Sequence, residues 1–443
     1  MNRKSQGGSV TLLPATAVVV GNMVGTGVFT SLGFQLLGIQ SGFVLMVLWG
    51  LGGVCALCGA LCYGELAAAL PRSGGEYHFL SRIYHPAVGF LAGWISVTVG
   101  FAAPVALVAM AFGAYFSGIV EVPGLEKSDL ALLVSCLLVA VVTGIHLLHI
   151  GVGSKFQSIF TTLKVVLIVV LIGSAFTLGT PQGMSFLPAE GDLAMLAGKS
   201  FAVSLVYVMY AYTGWNAATY IVDEVREPRK TVPRALLLGT VLVMVLYLGL
   251  NAAFLYSTPA DDMVGQLDVG FVAAKSIFHE AGGRIMAGLI CLGLISALSA
   301  MTWAGPRVAQ KMGEDYRVLC WLGEKSRAGI PIVAVLWQTA IVYFLILTST
   351  FEKVLVYIEL LLLLSALLTV AGVFWLRVRE PDLERPIKTP GYPLTPLVFV
   401  AVSVWMIVYV AIERPVEALF GVGTLGIGFA LFAVAQARRN LVP

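Results

Sequence analysis

The stretch Val20-Gly21-Asn22-Met23-Val24-Gly25-Thr26-Gly27-Val28-Phe29 lies in the middle of the first long apolar segment of the chain. A continuous membrane helix has no need of three glycines at this depth, since each costs about 1 kcal/mol relative to alanine. Gly25-Thr26-Gly27 therefore predicts a break in the helix, and unwound backbone inside a membrane must be buried in protein or line a cavity. The alternative is close packing against another helix, for which small residues four apart are typical.

The composition predicts a membrane protein. The 443-residue chain is 58% hydrophobic and 12% charged, whereas a soluble domain carries about 25% charged residues. The net charge of +3 is small, and no basic run with interleaved aromatic residues indicates nucleic-acid binding. The short polar N-terminus precedes a long apolar segment without a cleavage site, so no cleaved signal peptide is expected.

Twelve apolar segments reach the ~20 residues that a helix needs to cross a bilayer. The predicted fold is therefore an all-α integral membrane protein with twelve transmembrane helices. The segments are residues 11–37, 41–69, 86–117, 130–150, 156–178, 196–222, 232–256, 283–305, 331–349, 353–376, 394–412 and 416–436.

The distribution of Lys and Arg predicts the orientation, because cytoplasmic loops carry an excess of both. With the N-terminus inside, twenty of the 27 lie in inner loops or termini, six lie outside, and Lys164 lies within a span. We therefore expect a multi-pass protein of the cell membrane with both termini in the cytoplasm.

Span six contains a second polar, glycine-bearing stretch, Tyr210-Ala211-Tyr212-Thr213-Gly214-Trp215-Asn216. It lies five spans after the first stretch and runs in the opposite direction, which is typical of inverted-topology repeats. We predict a five-plus-five inverted repeat in which helices one and six are discontinuous, followed by two extra helices. The predicted division is residues 1–178, 179–377 and 378–443.

Three loops have predicted structure of their own. The inner loop from Pro71 to Arg82 is amphipathic and is expected to lie along the membrane surface as an inner gate. Residues 307–327 are its candidate counterpart, although a solvated basic connector fits that loop equally well. The outer loop, residues 257–282, is expected to be partly helical.

The two breaks together suit an α-amino acid, whose carboxylate and ammonium lie a few ångströms apart. Amides at the start of the second half of span one suit the carboxylate, and carbonyl groups at both breaks suit the ammonium. Such a site needs no ionised side chain, and the aromatic residues of span six would form a lid over the substrate. An ordinary aromatic helix interface is the alternative. The predicted substrate-binding residues are Asn22, Gly25, Thr26, Gly27, Val28, Tyr210, Ala211, Thr213, Gly214, Trp215 and Asn216.

Lys164 and Glu359 are the ionisable residues of interest within the spans. A buried lysine is costly and indicates function, so Lys164 is predicted to replace a coupling sodium ion, with Gly21, Ser296 and Ser299 around it. Proton exchange and snorkelling to the inner face are the alternatives for Lys164. Glu359 is a candidate proton or cation site, but a protonated or water-exposed carboxyl near the helix end is the favoured interpretation.

Catalysis has no support in the sequence, because no HExxH, GxSxG, Walker or Rossmann pattern occurs in a fitting context. The five histidines are scattered or lie at span ends, and no metal site or cofactor is predicted. The six cysteines fall mostly inside apolar segments, where packing is the expected role.

Four motifs give the chain a resemblance to the amino acid–polyamine–organocation superfamily, closest to its L-type amino acid transporter-like branch. The first two are the span-one stretch quoted above and Pro71-Arg72-Ser73-Gly74-Gly75-Glu76-Tyr77, continuing to Gly89-Phe90-Leu91-Ala92-Gly93-Trp94. The others are the span-six stretch followed by residues 224–235, and Phe160-Thr161-Thr162-Leu163-Lys164.

This resemblance implies alternating access, a substrate site between spans one and six, and a lysine at the sodium position, matched by Lys164. It implies a gating aromatic residue at Tyr210. Thr213 and Glu359 depart from the family pattern, and Glu359 leaves cationic substrates or proton coupling open. No cysteine suggests the disulfide to a glycoprotein that animal relatives form, so no obligatory protein partner is expected beside the substrate and the lipid bilayer.

The sequence therefore predicts a sodium-independent transporter, most consistent with neutral amino acids, that works as an exchanger or a proton-coupled symporter. A cationic amino acid or polyamine transporter of the same fold is the first alternative. A major facilitator fold would carry a different loop after span two, and a membrane sensor or scaffold would carry an appended soluble domain.

Overall fold

The computed structural model describes residues 10–148, 154–326 and 329–439. Arg3, Lys4 and Arg327, which contribute to the predicted charge bias, lie outside the described residues. Within them the structure is helical, and Val10 and Val225 form an isolated parallel bridge. The predicted all-α membrane fold is confirmed.

Seventeen α-helices follow one another along the described chain. The first nine are α1 Leu12–Met23, α2 Gly27–Gln35, α3 Gly42–Ala69, α4 Gly75–Ile83, α5 Pro86–Ile95, α6 Ala102–Ile119, α7 Lys127–Leu148, α8 Ser154–Leu178 and α9 Asp192–Leu196. The remainder are α10 Lys199–Tyr212, α11 Pro228–Ser257, α12 Ala260–Met263, α13 Val269–Asp315, α14 Ile332–Thr348, α15 Phe351–Arg379, α16 Leu394–Glu413 and α17 Pro415–Arg439.

Ten helical segments in the described part of the chain are long and apolar enough to cross a membrane. Two of the twelve predicted spans fall short of that length. Helix α14 has 17 residues, and α10, in predicted span six, has 14. The multi-pass membrane architecture is therefore established, and the count of twelve remains a prediction.

Both predicted breaks are present. Helix α1 ends at Met23 and α2 begins at Gly27, so Val24, Gly25 and Thr26 separate two half-helices. Helix α10 ends at Tyr212, and the chain continues in short 3-10 turns over Ala217–Tyr220 and Val222–Glu224. A further irregularity, a π-helical turn at Ser96–Gly100, lies between α5 and α6.

The eighth span is longer than predicted at both ends. The sequence places it at residues 283–305, but α13 runs from Val269 to Asp315 with one non-helical residue, His279. The outer loop is therefore largely helical. The predicted inner loop beginning at Arg307 is helical to Asp315 and then forms a 3-10 turn over Arg317–Leu322, so it is not a purely solvated connector.

Loops that were predicted to share one side of the membrane contact one another. Tyr77 of α4 donates to Asp315 at the end of α13, and Arg82 of α4 pairs with Glu380 after α15 at 2.7 Å. The hydrogen bonds from Arg82 hold the pKa of the Glu380 carboxyl below its usual range. We call this end of the bundle, with α4, the inner end.

At the opposite end, which we call the outer end, Lys199 in the first turn of α10 pairs with Glu413 at the end of α16. Lys127 similarly lies 4.0 Å from Asp268. Burial raises the pKa of the Asp268 carboxyl above its ordinary value. The alternation of loops thus agrees with the prediction, and which end faces the cytoplasm remains a prediction.

Candidate functional site

The two helix breaks touch at the centre of the bundle. A Cβ atom built on Gly27 would lie 2.5 Å from the Ala211 Cα atom, and one built on Gly214 would lie 2.9 Å from the Asn22 carbonyl oxygen. Gly214 also has a φ of +104°, which favours glycine. Glycine at these positions therefore allows the backbones of the broken segments to meet. The helix break and the close helix packing, which the sequence offered as alternatives, are both present.

The break in span one is held open by two hydrogen-bond donors from other helices. The Tyr247 hydroxyl of α11 donates to the Met23 carbonyl oxygen at 2.7 Å. The Lys164 ammonium of α8 donates to the Val24 carbonyl oxygen at 2.9 Å. These carbonyls lack their helical partners because the helix stops, and the two donors compensate for that loss.

Lys164 is buried and does not snorkel to the inner face. The predicted surroundings are only partly arranged around it. Gly293 of α13 lies next to its aliphatic stem, but Ser299 makes its hydrogen bond with His146 at 3.0 Å. The hydroxyl of Ser296 is buried without a hydrogen-bond partner among the described residues. Lys164 thus braces span one through Val24, three residues after the predicted Gly21.

A cavity of about 700 Å³ extends from the two breaks to the inner end of the bundle. Gly25, Thr26, Gly27, Ala211 and Thr213 line its deep end. The residues at its mouth come from the inner ends of several spans and from α4, and they include Val18, Glu76, Ile221 and Arg307. This volume is within the range of small-molecule sites, and the breaks are accessible from the inner end.

The outer end of the cavity is closed by side chains. The hydroxyl groups of Thr26 and Tyr210 lie 3.4 Å apart, and both residues are buried. Beyond them the Phe34 ring stacks against Tyr207 and Phe351, with ring centroids 5.5 and 5.9 Å apart. The cavity is therefore open at the inner end and closed at the outer end, where Tyr210 lies at the position expected for a gating aromatic residue.

The two half-helix ends that meet at the cavity carry opposite partial charge. The amides of Gly27 and Val28 open α2 and have no intrahelical acceptor, which makes this end attractive to an anion. The Val28 side chain itself is fully buried. Helix α10 instead ends at the cavity with its carbonyl groups. The Thr213 amide donates to the Tyr210 carbonyl oxygen, and the Thr213 hydroxyl lies 3.1 Å from the Met209 carbonyl oxygen. The carbonyl oxygens of Ala211 and Tyr212 have no donor among the described residues.

Trp215 and Asn216 line the cavity below the break in span six. The Trp215 ring packs edge-on against Tyr63 at 4.7 Å and also contacts Phe399, so it forms part of the cavity wall and of the helix interface. The Asn216 amide donates to Glu76. Among the predicted aromatic residues, Tyr210 alone is at the closed outer end.

Glu359 differs from one part of the interpretation that the sequence favoured, which was a protonated or water-exposed carboxyl near the helix end. It is 3% exposed, lies in the ninth position of the 29-residue α15, and lines the cavity. Its carboxylate accepts a hydrogen bond from the Thr213 hydroxyl at 3.1 Å. A water-exposed carboxyl near the helix end is therefore wrong, because α10 and α15 pack together and enclose it.

Two residues that make specific contacts at the site were not found from the sequence. Glu76 was quoted only as part of a motif, but its carboxylate accepts hydrogen bonds from Tyr63, Asn216 and Tyr220. Tyr247 gave no signal, because a tyrosine in an apolar span is ordinary. The available sequence signal for Glu76 was its place as an acidic residue in the first turn of an amphipathic helix, α4.

The chain was compared with known families and proteins. A family model described as amino acid permease matches residues 10–431. The b(0,+)-type amino acid transporter 1 of Rattus norvegicus is 25% identical over 409 residues, which cover 92% of this chain and 83% of the relative.

Two further relatives are named for different substrates. The large neutral amino acids transporter small subunit 2 of Mus musculus is 25% identical, over 95% of this chain and 80% of the relative. The cystine/glutamate transporter of Homo sapiens is 24% identical, over 95% and 82%.

Proposed function

Because the chain belongs to the amino acid permease family, we propose that it is a transporter that moves amino acids across a membrane without sodium, by alternating access. One observation carries this proposal. Gly27 and Ala211 bring the amide end of α2 against the carbonyl end of α10 at the bottom of an open cavity. An α-amino acid carries the complementary pair of charges.

The substrate carboxylate binds at the amides of Gly27 and Val28, and its ammonium binds at the carbonyl end of α10. Neither contact requires a side-chain charge. Thr26 and Tyr210 close over the substrate from the outer end, and its side chain extends into the cavity toward Trp215 and Asn216.

Neutral amino acids are the proposed substrate class. The cavity wall next to Trp215 is aromatic, and one relative is named for large neutral amino acids. Cationic amino acids or polyamines are the second candidate class, because Glu359 places a carboxylate in the cavity.

Sodium independence rests on Lys164. Its ammonium supplies a fixed positive charge to the Val24 carbonyl oxygen at 2.9 Å, the contact that a coupling sodium ion would make with the broken helix. Transport then proceeds by exchange or with a proton.

We place the protein in the cell membrane, with the inner end of the bundle toward the cytoplasm. It works there without an obligatory protein partner. Cys320 is the exposed cysteine among the described residues, and it lies at the inner end, away from the side on which an extracellular partner would form a disulfide.

Uptake of radiolabelled amino acids into proteoliposomes tests the proposal. We expect saturable uptake of neutral amino acids in sodium-free buffer, and no increase when sodium is added. A requirement for amino acid inside the vesicles indicates exchange, and uptake into empty vesicles driven by an inward proton gradient indicates symport. Uptake that needs sodium, or no uptake of any amino acid, would contradict the proposal.

A further inference from the structure

Glu359 is a buried carboxyl at the point where the two helix breaks meet. Its hydrogen-bond donor, Thr213, lies between Tyr210, which contacts Thr26, and Gly214, which packs against Asn22. Thr213 directly follows Ala211 and Tyr212, whose carbonyl oxygens have no donor among the described residues. Glu359 therefore lies at the level of the substrate's head group.

Glu359 forms no ion pair with any residue that the structure describes. Lys164 is committed to Val24. At the start of the same helix, Glu352 is paired with Arg414. A carboxylate buried in this way is costly unless a positive charge compensates it.

The carbonyl end of α10 adds to the negative potential around Glu359. A helix C-terminus carries roughly half a negative charge, and the Ala211 and Tyr212 carbonyl oxygens have no donor among the described residues. The amide end of α2, which carries positive partial charge, begins at Gly27 and packs against Ala211. A cation at the carbonyl end of α10 would satisfy these groups and Glu359 at once.

We propose that Glu359 is the counter-charge for the α-ammonium group of the substrate, a role that rests on the proposed transport of amino acids. Glu359 then binds a group that every α-amino acid carries, whatever its side chain. Thr213 positions the carboxylate through its hydroxyl, and the ammonium bridges Glu359 and the carbonyl end of α10.

This role separates Glu359 from two other uses of a carboxyl in a cavity. If Glu359 instead bound cationic substrate side chains, it would distinguish arginine from leucine. A proton carrier would change the response of transport to pH while leaving substrate affinity intact. The position beside Thr213 and Tyr210, at the break, favours the α-ammonium, which must lie within a few ångströms of the carboxylate held by α2.

The test compares Glu359→Gln with the wild type in sodium-free proteoliposomes, using leucine and, where transported, arginine. Glutamine keeps the shape and removes the charge. We expect KM for each transported amino acid to rise by a similar factor, roughly ten- to hundredfold, which is the range for a hydrogen-bonded charge. Glu126→Gln, in an exposed loop at the outer end, is the matched control and should leave KM unchanged.

A second variant keeps the test decisive if glutamine impairs folding. Glu359→Asp retains the charge on a shorter side chain. Leucine should bind the purified Glu359→Asp variant more weakly than the wild type but more tightly than Glu359→Gln. If Glu359→Gln does not fold, leucine binding to Glu359→Asp should still be measurable. Monodispersity on size-exclusion chromatography reports folding.

Three results would overturn the inference. They are a loss confined to arginine, a change in pH dependence with an unaltered KM for leucine, and unaltered transport of all substrates by Glu359→Gln. Failure of the proposed function is distinguishable, because the wild-type protein itself would then transport no amino acid.

Discussion

Gly27 is the position at which the site tolerates a side chain least. A Cβ atom there would lie 2.5 and 2.7 Å from the Cα and Cβ atoms of Ala211, and these are not the far ends of flexible side chains. We predict that Gly27→Ala reduces amino acid uptake at least tenfold, because the two breaks must move apart. Gly173→Ala in α8, where no neighbour lies within 4 Å, should transport normally. Wild-type uptake by Gly27→Ala would contradict the proposed contact.

Lys164 gives a second prediction from a single side chain. Lys164→Met removes the donor to the Val24 carbonyl oxygen while retaining an unbranched apolar stem. We expect uptake to fall at least tenfold at every pH tested, with the protein still monodisperse, because a buried charge is removed. Lys353→Met, exposed at the start of α15, is the control. Retained uptake with an altered pH profile would instead make Lys164 a proton carrier.

Side chains were predictable from the sequence to different extents. Lys164 was found because a charge within an apolar span needs an explanation. Glu359 was assigned the wrong environment because burial is decided by which helix packs beside α15, and sequence position gives only depth. Tyr247 was missed for the same reason, since its partner Met23 lies 224 positions away in the chain.

Among the elements, α4 is joined to its neighbours by several specific hydrogen bonds. Glu76 is 9% exposed and joins α4 to α3 through Tyr63 and to the segment after the second break through Asn216 and Tyr220. Ser73 and Asp223 exchange two further hydrogen bonds nearby, at 3.3 and 2.9 Å. Helix α4 and the inner part of span six are therefore expected to move together.

Glu76→Gln tests this connection. A glutamine presents one oxygen to three donors, so at least one hydrogen bond to a charged acceptor is lost, at about 1.5–3 kcal/mol each. We expect a lower midpoint of thermal unfolding and faster proteolysis of residues 71–85. Tyr220→Phe removes one donor and should have a smaller effect. Equal stability of Glu76→Gln and wild type would contradict the role of Glu76.

The breaks were predictable as elements because glycine is unfavourable in a helix interior and its position along a span can be counted. The ends of α13 were not predictable, because the polar residues before 283 and after 305 continue an amphipathic helix that packs on its neighbours. The sequence pattern marks where a helix leaves the membrane, whereas contacts with α6 and α14 decide where it ends.

For the molecule as a whole, the open cavity at the inner end gives a prediction about access. In a variant whose exposed Cys320 is replaced by serine, Val18→Cys should react with a membrane-impermeant maleimide in inverted vesicles, and amino acid should slow the reaction. Glu126→Cys, at the outer end, should react from the opposite side. Labelling of both positions from one side would contradict the assigned ends of the bundle.

The twelve-span division and the inverted repeat are the parts of the architecture that remain predictions. Their basis is the pair of breaks five spans apart and the Lys and Arg bias. The contacts of α4 with the ends of α13 and α15 agree with the predicted sides. The proposed substrate site lies at the two breaks and does not depend on the number of spans.

Binding to the purified wild-type protein in sodium-free buffer tests the central claim most directly. Leucine would be compared by isothermal titration with two analogues of the same side chain, one lacking the α-amino group and one lacking the carboxylate. We predict that leucine binds and that each analogue binds at least tenfold more weakly, since each leaves one helix end unsatisfied. Equal binding of either analogue, or binding of leucine only with sodium, would contradict a zwitterion held between the two breaks.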